Sequence, residues 1–489
     1  MTKKNLGMVW LALARLGQAL IGLVALRAMT YWLSVEQFAL LGLMTAFAGF
    51  FGLFLINPVG QYINRHTHQW HQQGILLTQM KKYNTYLSIL SLLATAGGLV
   101  WYGSTHAQSL TREFWTSLLI ACSLGLFVWL GTWNNTLVPM LNMLGRRGQS
   151  ALLGMLTVTL ALSASILLVM WQAEAVTWLY GQLIGLAVGA AAALHLLSAN
   201  NSHQAEGSRS FLDWSTVKDY CLPLAIAAGM LWALTGGYRF VVESRWGAYN
   251  LGLLVLGMGV ASQFWSIIEA ITTQIVYPKY YHRLSANNHN DSLMAFNQMI
   301  NTIMPIYLAM LGLGVAMASN LLAILADPRF AGAAIFCSIG MLLEACRAST
   351  NMINQAAQIN KKTTSMIYPY LVAIIFSLIG FAFLYKIDAP VSAVPWVLTT
   401  AMLLALVTST LKMQQIARLL PDYKIWAMAS LLGLLPVLLS ASFDARTVWQ
   451  HIAMLATCGT VGMAGTITMT KYNPSFHALM TTFLPAETE

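Results

Sequence analysis

Leu6–Trp32, LGMVWLALARLGQALIGLVALRAMTYW, is the stretch whose reading decides the fold. It exceeds the ~20 apolar residues that a helix needs to cross the hydrocarbon core of a bilayer. It has no small-residue cleavage site, so it reads as a resident span rather than a removable signal peptide. Yet it carries Arg15, Gln18 and Arg27. A guanidinium at the bilayer centre costs ~2.5–3.5 kcal/mol on insertion scales, so such residues are expected to face a protein interior or a water-filled cavity. Two permanent positive charges in one span point to an anionic ligand. The planar fork of a guanidinium matches phosphate oxygens and keeps its proton at any working pH.

Composition extends this reading to the whole chain. Of 489 residues, 57% are hydrophobic and only 9% charged, and the mean hydropathy is +0.64. Soluble domains carry about 25% charged residues. Apolar runs set against polar punctuation yield fourteen candidate spans, so an all-α polytopic membrane protein is expected. The connections test that number. Of the 26 Lys and Arg, seventeen fall on one side of the alternating connections and five on the other, with Arg15, Arg27, Arg239 and Arg347 left inside spans. By the positive-inside rule both termini are cytoplasmic. The net charge of +10 then lies beside a membrane, where it favours anionic headgroups and not nucleic acid. All five cysteines sit in apolar runs with no CxxC, which reads as small buried hydrophobes. His66, His68 and His71 share a connection without carboxylates, and no metal site is expected there.

The polar run from Asn200 to Ser210 is the best linker. It predicts an N-terminal six-helix bundle over 1–199, a cytoplasmic linker over 200–216 and a second six-helix bundle over 217–415. Two additional transmembrane helices and a cytoplasmic tail then fill 416–489. The halves resemble each other. LeuSerValGluGlnPheAlaLeuLeu from Leu33 matches TrpGlyAlaTyrAsnLeuGlyLeuLeu from Trp246, an offset of 213, and Gln61 matches Gln274 at the same offset. Arg27 pairs with Arg239, and LeuGlyArgArg from Leu144 with IleAsnLysLys from Ile359. Two pseudo-symmetric six-helix bundles plus two C-terminal helices are therefore expected.

The short turn through Leu33 and Glu36, the Leu144-Gly145-Arg146 after the fourth span, and the two spans beyond the twelve-helix core carry a family likeness. The chain resembles the polysaccharide and O-antigen flippase branch of the multidrug/oligosaccharidyl-lipid/polysaccharide (MOP) superfamily. The Gly-Pro usual in the first turn of that family is replaced by Ser34-Val35, while Glu36 remains. The resemblance implies a bacterial inner-membrane flippase that moves a polyprenyl-pyrophosphate-linked oligosaccharide from the cytoplasmic to the periplasmic leaflet by alternating access. It implies the lipid-linked oligosaccharide, membrane lipids and the polysaccharide biosynthesis machinery as partners. No cofactor is expected, and coupling to Na+ or H+ stays open.

Side-chain chemistry matches particular residues to these tasks. Arg15, Gln18, Arg27 and Arg239 are the candidate substrate-binding groups, the arginines for the pyrophosphate. Glu269, Glu344 and Arg347 are candidates for coupling or gating. Glu344 lies three residues before Arg347, within pairing reach on one helix face, so a purely structural ion pair is the competing reading. Glu269 has no charged neighbour within a helical turn, so it is either protonated, ion-coupled or paired with an arginine of another helix. Asn57-Pro58, Pro139 and Pro305 interrupt spans and are candidate hinges. Gly181, Gly185 and Gly189 form a small-residue stripe expected to seat a neighbouring helix. No Walker A, GxSxG or HExxH motif occurs, so the chain is not expected to be an enzyme. Two other readings remain: a cation-coupled drug antiporter of the same superfamily, and a membrane glycan polymerase or ligase. The second is disfavoured because the outer connections are too short for a catalytic loop.

Overall fold

The computed structural model describes residues 3–106, 112–198, 214–284, 289–359, 363–443 and 445–481. Among these, all regular structure is helical. In chain order the helices are α1 (Lys3–Trp32), α2 (Val35–Phe50), α3 (Asn57–Gln72), α4 (Leu76–His106), α5 (Arg112–Met143), α6 (Arg147–Trp171), α7 (Ala175–Ser198) and α8 (Trp214–Trp232). They continue as α9 (Tyr238–Leu284), α10 (His289–Leu325), α11 (Ala334–Ile353), α12 (Ile367–Lys386), α13 (Val394–Met413), α14 (Tyr423–Ala441), α15 (Val448–Tyr472) and α16 (Pro474–Thr481). Wide π-helical turns at Phe51–Ile56 and Ala233–Gly237 join α2 to α3 and α8 to α9.

Among the described residues, twelve helical stretches are long and apolar enough to cross a membrane. One of them, Cys221–Tyr281, holds 61 residues. As one straight helix it would extend ~90 Å at 1.5 Å per residue, three times the ~30 Å hydrocarbon core. It breaks instead at Gly247, whose φ of 82° and ψ of 165° suit glycine and little else. Counted as two crossings, and joined by α1, whose described apolar part is Leu20–Trp32, the twelve become the fourteen spans expected from the sequence. The chain is a multi-pass all-α membrane protein.

By contact the chain divides into two compact units, Met1–Glu243 and Ser244–Glu489. In the first, lipid and leucine are equally apolar, so helix association has to come from close packing and polar bonds. The α6–α7 seam shows both. A Cβ on Gly181 would strike the backbone of Ser165, and one on Gly185 would lie 2.5 Å from Ala161 N. Ser165 Oγ then donates to Trp178 O at 2.9 Å. The glycine stripe read from the sequence is this seam. At the other seam of the unit, α8 packs on α3 and the π-helical turn before it, and Trp232 Nε1 donates to Ala46 O at 2.8 Å.

Two motifs that carried the family likeness have local physical roles. Ser34 is the N-cap of α2, its side chain accepting from Gln37 N at 3.2 Å, with Glu36 in the first turn where the helix dipole favours a carboxylate. A serine thus replaces Gly-Pro as the helix start. Gly145 ends α5 with φ 85°, its N–H bonding Asn142 O while Arg146 N reaches Leu141 O at 2.9 Å. This is a Schellman cap, and its left-handed position explains the glycine of Leu-Gly-Arg.

In the second unit, α10 is the mast to which the C-terminal pair is tied. Pro305 has no N–H to offer the carbonyl four residues back, which belongs to Asn301. Asn473 Nδ2 donates to that carbonyl instead, at 2.7 Å. The Asn301 side chain donates to Leu420 O at 2.8 Å and accepts from Asp422 N at 2.9 Å and Trp426 Nε1 at 3.1 Å. Higher up, Gly312 and Gly433 bring the α10 and α14 backbones together so closely that a Cβ on either would meet the other helix.

Candidate functional site

The candidate substrate groups lie in the first unit. α1 includes Arg15, but its side chain falls outside the described residues. Gln18 is half-buried, and its Nε2 sits 2.5 Å from where a Cβ on Gly154 would lie, so the glycine of α6 makes room for that amide. Arg27 is exposed on α1, and Thr30 Oγ1 donates to its carbonyl at 3.1 Å. Arg239 is half-buried, just past the π-helical turn Ala233–Gly237. Its Nη1 donates to Gly42 O of α2 at 2.8 Å, and its Nε is buried with no acceptor. A buried donor left unpaired is costly, so Arg239 is a guanidinium with hydrogen-bonding capacity to spare.

The coupling candidates lie in the second unit and come together. Arg347 of α11 reaches Glu344 Oε2 on its own helix through Nε at 2.5 Å. Through Nη2 it reaches Glu269 Oε2 of α9, also at 2.5 Å. The three side chains are 15%, 8% and 20% exposed, in the order Arg347, Glu344, Glu269. Glu344 is therefore the most withdrawn of the three. Glu269 is answered by an arginine of another helix, one of the alternatives its isolation in sequence had left open. With both carboxylates ionised the cluster carries one net negative charge.

Residues that sequence reasoning did not select make polar contacts on the same helices and their neighbours. Thr272 Oγ1 and Tyr307 OH stand 3.5 Å apart. Tyr370 OH donates to Asn351 Oδ1 at 3.1 Å, and Tyr281 OH to Gln355 Oε1 at 2.8 Å. Asn354 is 1% exposed, with neither side-chain polar atom in a hydrogen bond. The available signal was weak: polar and tyrosine residues within a few turns of lone charges, on helices whose partners no spacing rule identifies.

The hinge candidates resolve differently. The wide turn Phe51–Ile56 runs straight into Asn57-Pro58, where the missing N–H loosens the helical ladder. Tyr86 OH caps one carbonyl of that turn, Leu55 O, at 2.8 Å. Pro139 lies inside continuous α5. Pro305 lies inside continuous α10, where the carbonyl it frees fastens the C-terminal pair. His66 Nδ1 is 2.9 Å from Tyr62 O and its ring stacks on Trp70. Among the described residues no group of three or more metal-ligating side chains occurs.

No protein-family model and no curated protein sequence matches the chain. Solved structures do, and what they share with this chain is the fold. A multidrug resistance MATE-family transporter of the MOP superfamily, in an inward-facing conformation, aligns with a TM-score of 0.60 at 14% identity, over 81% of this chain and 94% of its own. A MATE structure in a bent conformation aligns at 0.55, also 14% identical, over 85% and 95%. The lipid II flippase MurJ in an inward closed conformation aligns at 0.67 with 10% identity, over 95% of this chain and 99% of its own. At such identities the likeness is one of fold. All three are transporters or flippases.

Proposed function

We propose that this protein is a flippase for a polyprenyl-pyrophosphate-linked oligosaccharide. It carries the lipid from the cytoplasmic to the periplasmic leaflet of a bacterial inner membrane by alternating access, with both termini cytoplasmic. The observation that carries the reading is the match along nearly the whole chain to a lipid II flippase. The 5% of 489 residues that it leaves out is fewer than the 19 and 25 residues of α14 and α15 together, so at least part of that C-terminal pair is matched. The MATE structures leave 15–19% unmatched. Charge supports the same reading. Among the described residues of the first unit, Glu36 and Glu113 stand in the first turns of α2 and α5 and Glu174 in a connection, while Arg27 and Arg239 lie within apolar stretches. Arg15, Arg27 and Arg239 bind the pyrophosphate, and Gln18 assists beside Arg15.

Arg15→Ala is expected to abolish complementation of glycan export while membrane insertion stays normal; retained export removes Arg15 from the site. A second reading, a cation-coupled drug antiporter, draws on the Glu269–Arg347–Glu344 cluster and the MATE likeness. The two readings differ in what is carried, and both accommodate coupling to Na+ or H+ at that cluster. A drug efflux assay in a strain lacking its own pumps separates them: protection against cationic drugs favours the antiporter.

A further inference from the structure

A groove of about 700 Å³ opens on the first unit between α4, α5 and α7, and neither Arg27 nor Arg239 is among its lining residues. Its floor is shallow because α7 presents Ala187, Ala190 and Ala191 there. Its walls are the indoles of Trp129 and Trp133, one helical turn apart on α5. Both Nε1 atoms donate to one acceptor, Asn84 Oδ1, at 3.0 and 2.8 Å. With the polar edges tied to α4, the rings are held in place and show their apolar faces to the groove. From Ala187 to Ser198 the groove follows α7 for ~16 Å at 1.5 Å per residue.

One end is cationic. Lys81 is exposed and lines the groove near the start of α4, with Ser198 at the end of α7. Leu194 is 45% exposed, so the apolar length of the groove is open at the surface of a membrane-spanning bundle. An acyl chain gains little by leaving bulk lipid for such a groove, since both are apolar. Selection must come from the headgroup, and the charge at this end is positive.

We propose that this groove is a binding site for an anionic glycerophospholipid, with one acyl chain along Trp129 and Trp133 and the phosphodiester at Lys81. The inference does not depend on what the protein transports. It is tested on the full chain in phosphatidylcholine vesicles containing a minor fraction of phosphatidylglycerol with brominated acyl chains, which quench nearby tryptophans. Quenching by brominated phosphatidylglycerol is expected to exceed that by the same fraction of brominated phosphatidylcholine. The excess should vanish in the Trp129→Phe/Trp133→Phe double variant and fall at least severalfold in Lys81→Gln, while Lys386→Gln keeps it. Equal quenching by the two lipids, or an excess unchanged in Lys81→Gln, overturns the proposal. So does relief of quenching by polyprenyl phosphate at concentrations where added phosphatidylglycerol has no effect, because the groove would then hold an isoprenoid tail.

Discussion

The two units treat their intramembrane charge in opposite ways. In Met1–Glu243, Arg239 is answered by a main-chain carbonyl and keeps an unpaired Nε. In Ser244–Glu489, Arg347 is gripped by two carboxylates from two helices. A carbonyl dipole holds a guanidinium in place without cancelling its charge, whereas two carboxylates more than cancel it. The first arrangement leaves the positive charge standing; the second leaves a slightly negative knot. This contrast is what mutation can break.

The largest effect is expected at the knot. Arg347→Ala strands two partly buried carboxylates, and removing one partner of a buried ion pair costs about 3–5 kcal/mol. The variant should show a strongly lowered melting temperature in detergent. Arg239→Ala loses a single bond to a carbonyl and should melt close to wild type. Equal losses at the two sites would erase the contrast.

Next comes the α6–α7 seam of the first unit. Gly185→Leu forces side-chain atoms into the Ala161 backbone, and overpacking of this kind costs about 1–3 kcal/mol. A milder melting shift and increased protease access at the α6–α7 connection are expected, and an unshifted variant would mean that the seam relaxes freely. Asn301→Ala in the second unit leaves Leu420 O, Asp422 N and Trp426 Nε1 without their partner. Unsatisfied groups of this kind cost about 1–3 kcal/mol. Here the effect is local: amide exchange should rise over residues 418–426 and stay unchanged in the first unit.

The smallest effect on stability is expected for Glu269→Gln, which keeps the shape and leaves Glu344 to neutralise Arg347 alone. If the excess carboxylate serves coupling, this variant loses the pH or Na+ dependence of transport in liposomes. Dependence that survives the substitution assigns the cluster a structural role only.

Much of this contrast was legible in the sequence, and the reason is physical. A bilayer tolerates few helical charges, so each one stands out, and Arg15, Arg27, Arg239, Glu269, Glu344 and Arg347 were visible as exceptions. The i, i+3 spacing of Glu344 and Arg347 was enough to pair them. Glu269 could be seen to need a partner, but spacing along one helix says nothing about a partner 78 residues away. The Asn301 junction was hidden more deeply. Asparagines in apolar runs look alike, and only the packing of α10 against α14 and α15 shows that the carbonyl freed by Pro305 meets Asn473. The break at Gly247 was legible, because the turn through Trp246 reads as the counterpart of the turn at Leu33 and separates the seventh span from the eighth.

The central claim, that the positive first unit serves an anionic lipid-linked glycan, is tested most directly by flipping. The purified full chain is reconstituted in liposomes with a fluorescent polyprenyl-pyrophosphate oligosaccharide in both leaflets, and a membrane-impermeant quencher is added outside. The account predicts that proteoliposomes expose the inner-leaflet pool on a timescale at which protein-free liposomes protect it. Arg239→Ala, although folded, should slow that exposure at least tenfold. An inner pool that stays protected beside folded wild-type protein, or one released equally fast by Arg239→Ala, would contradict it.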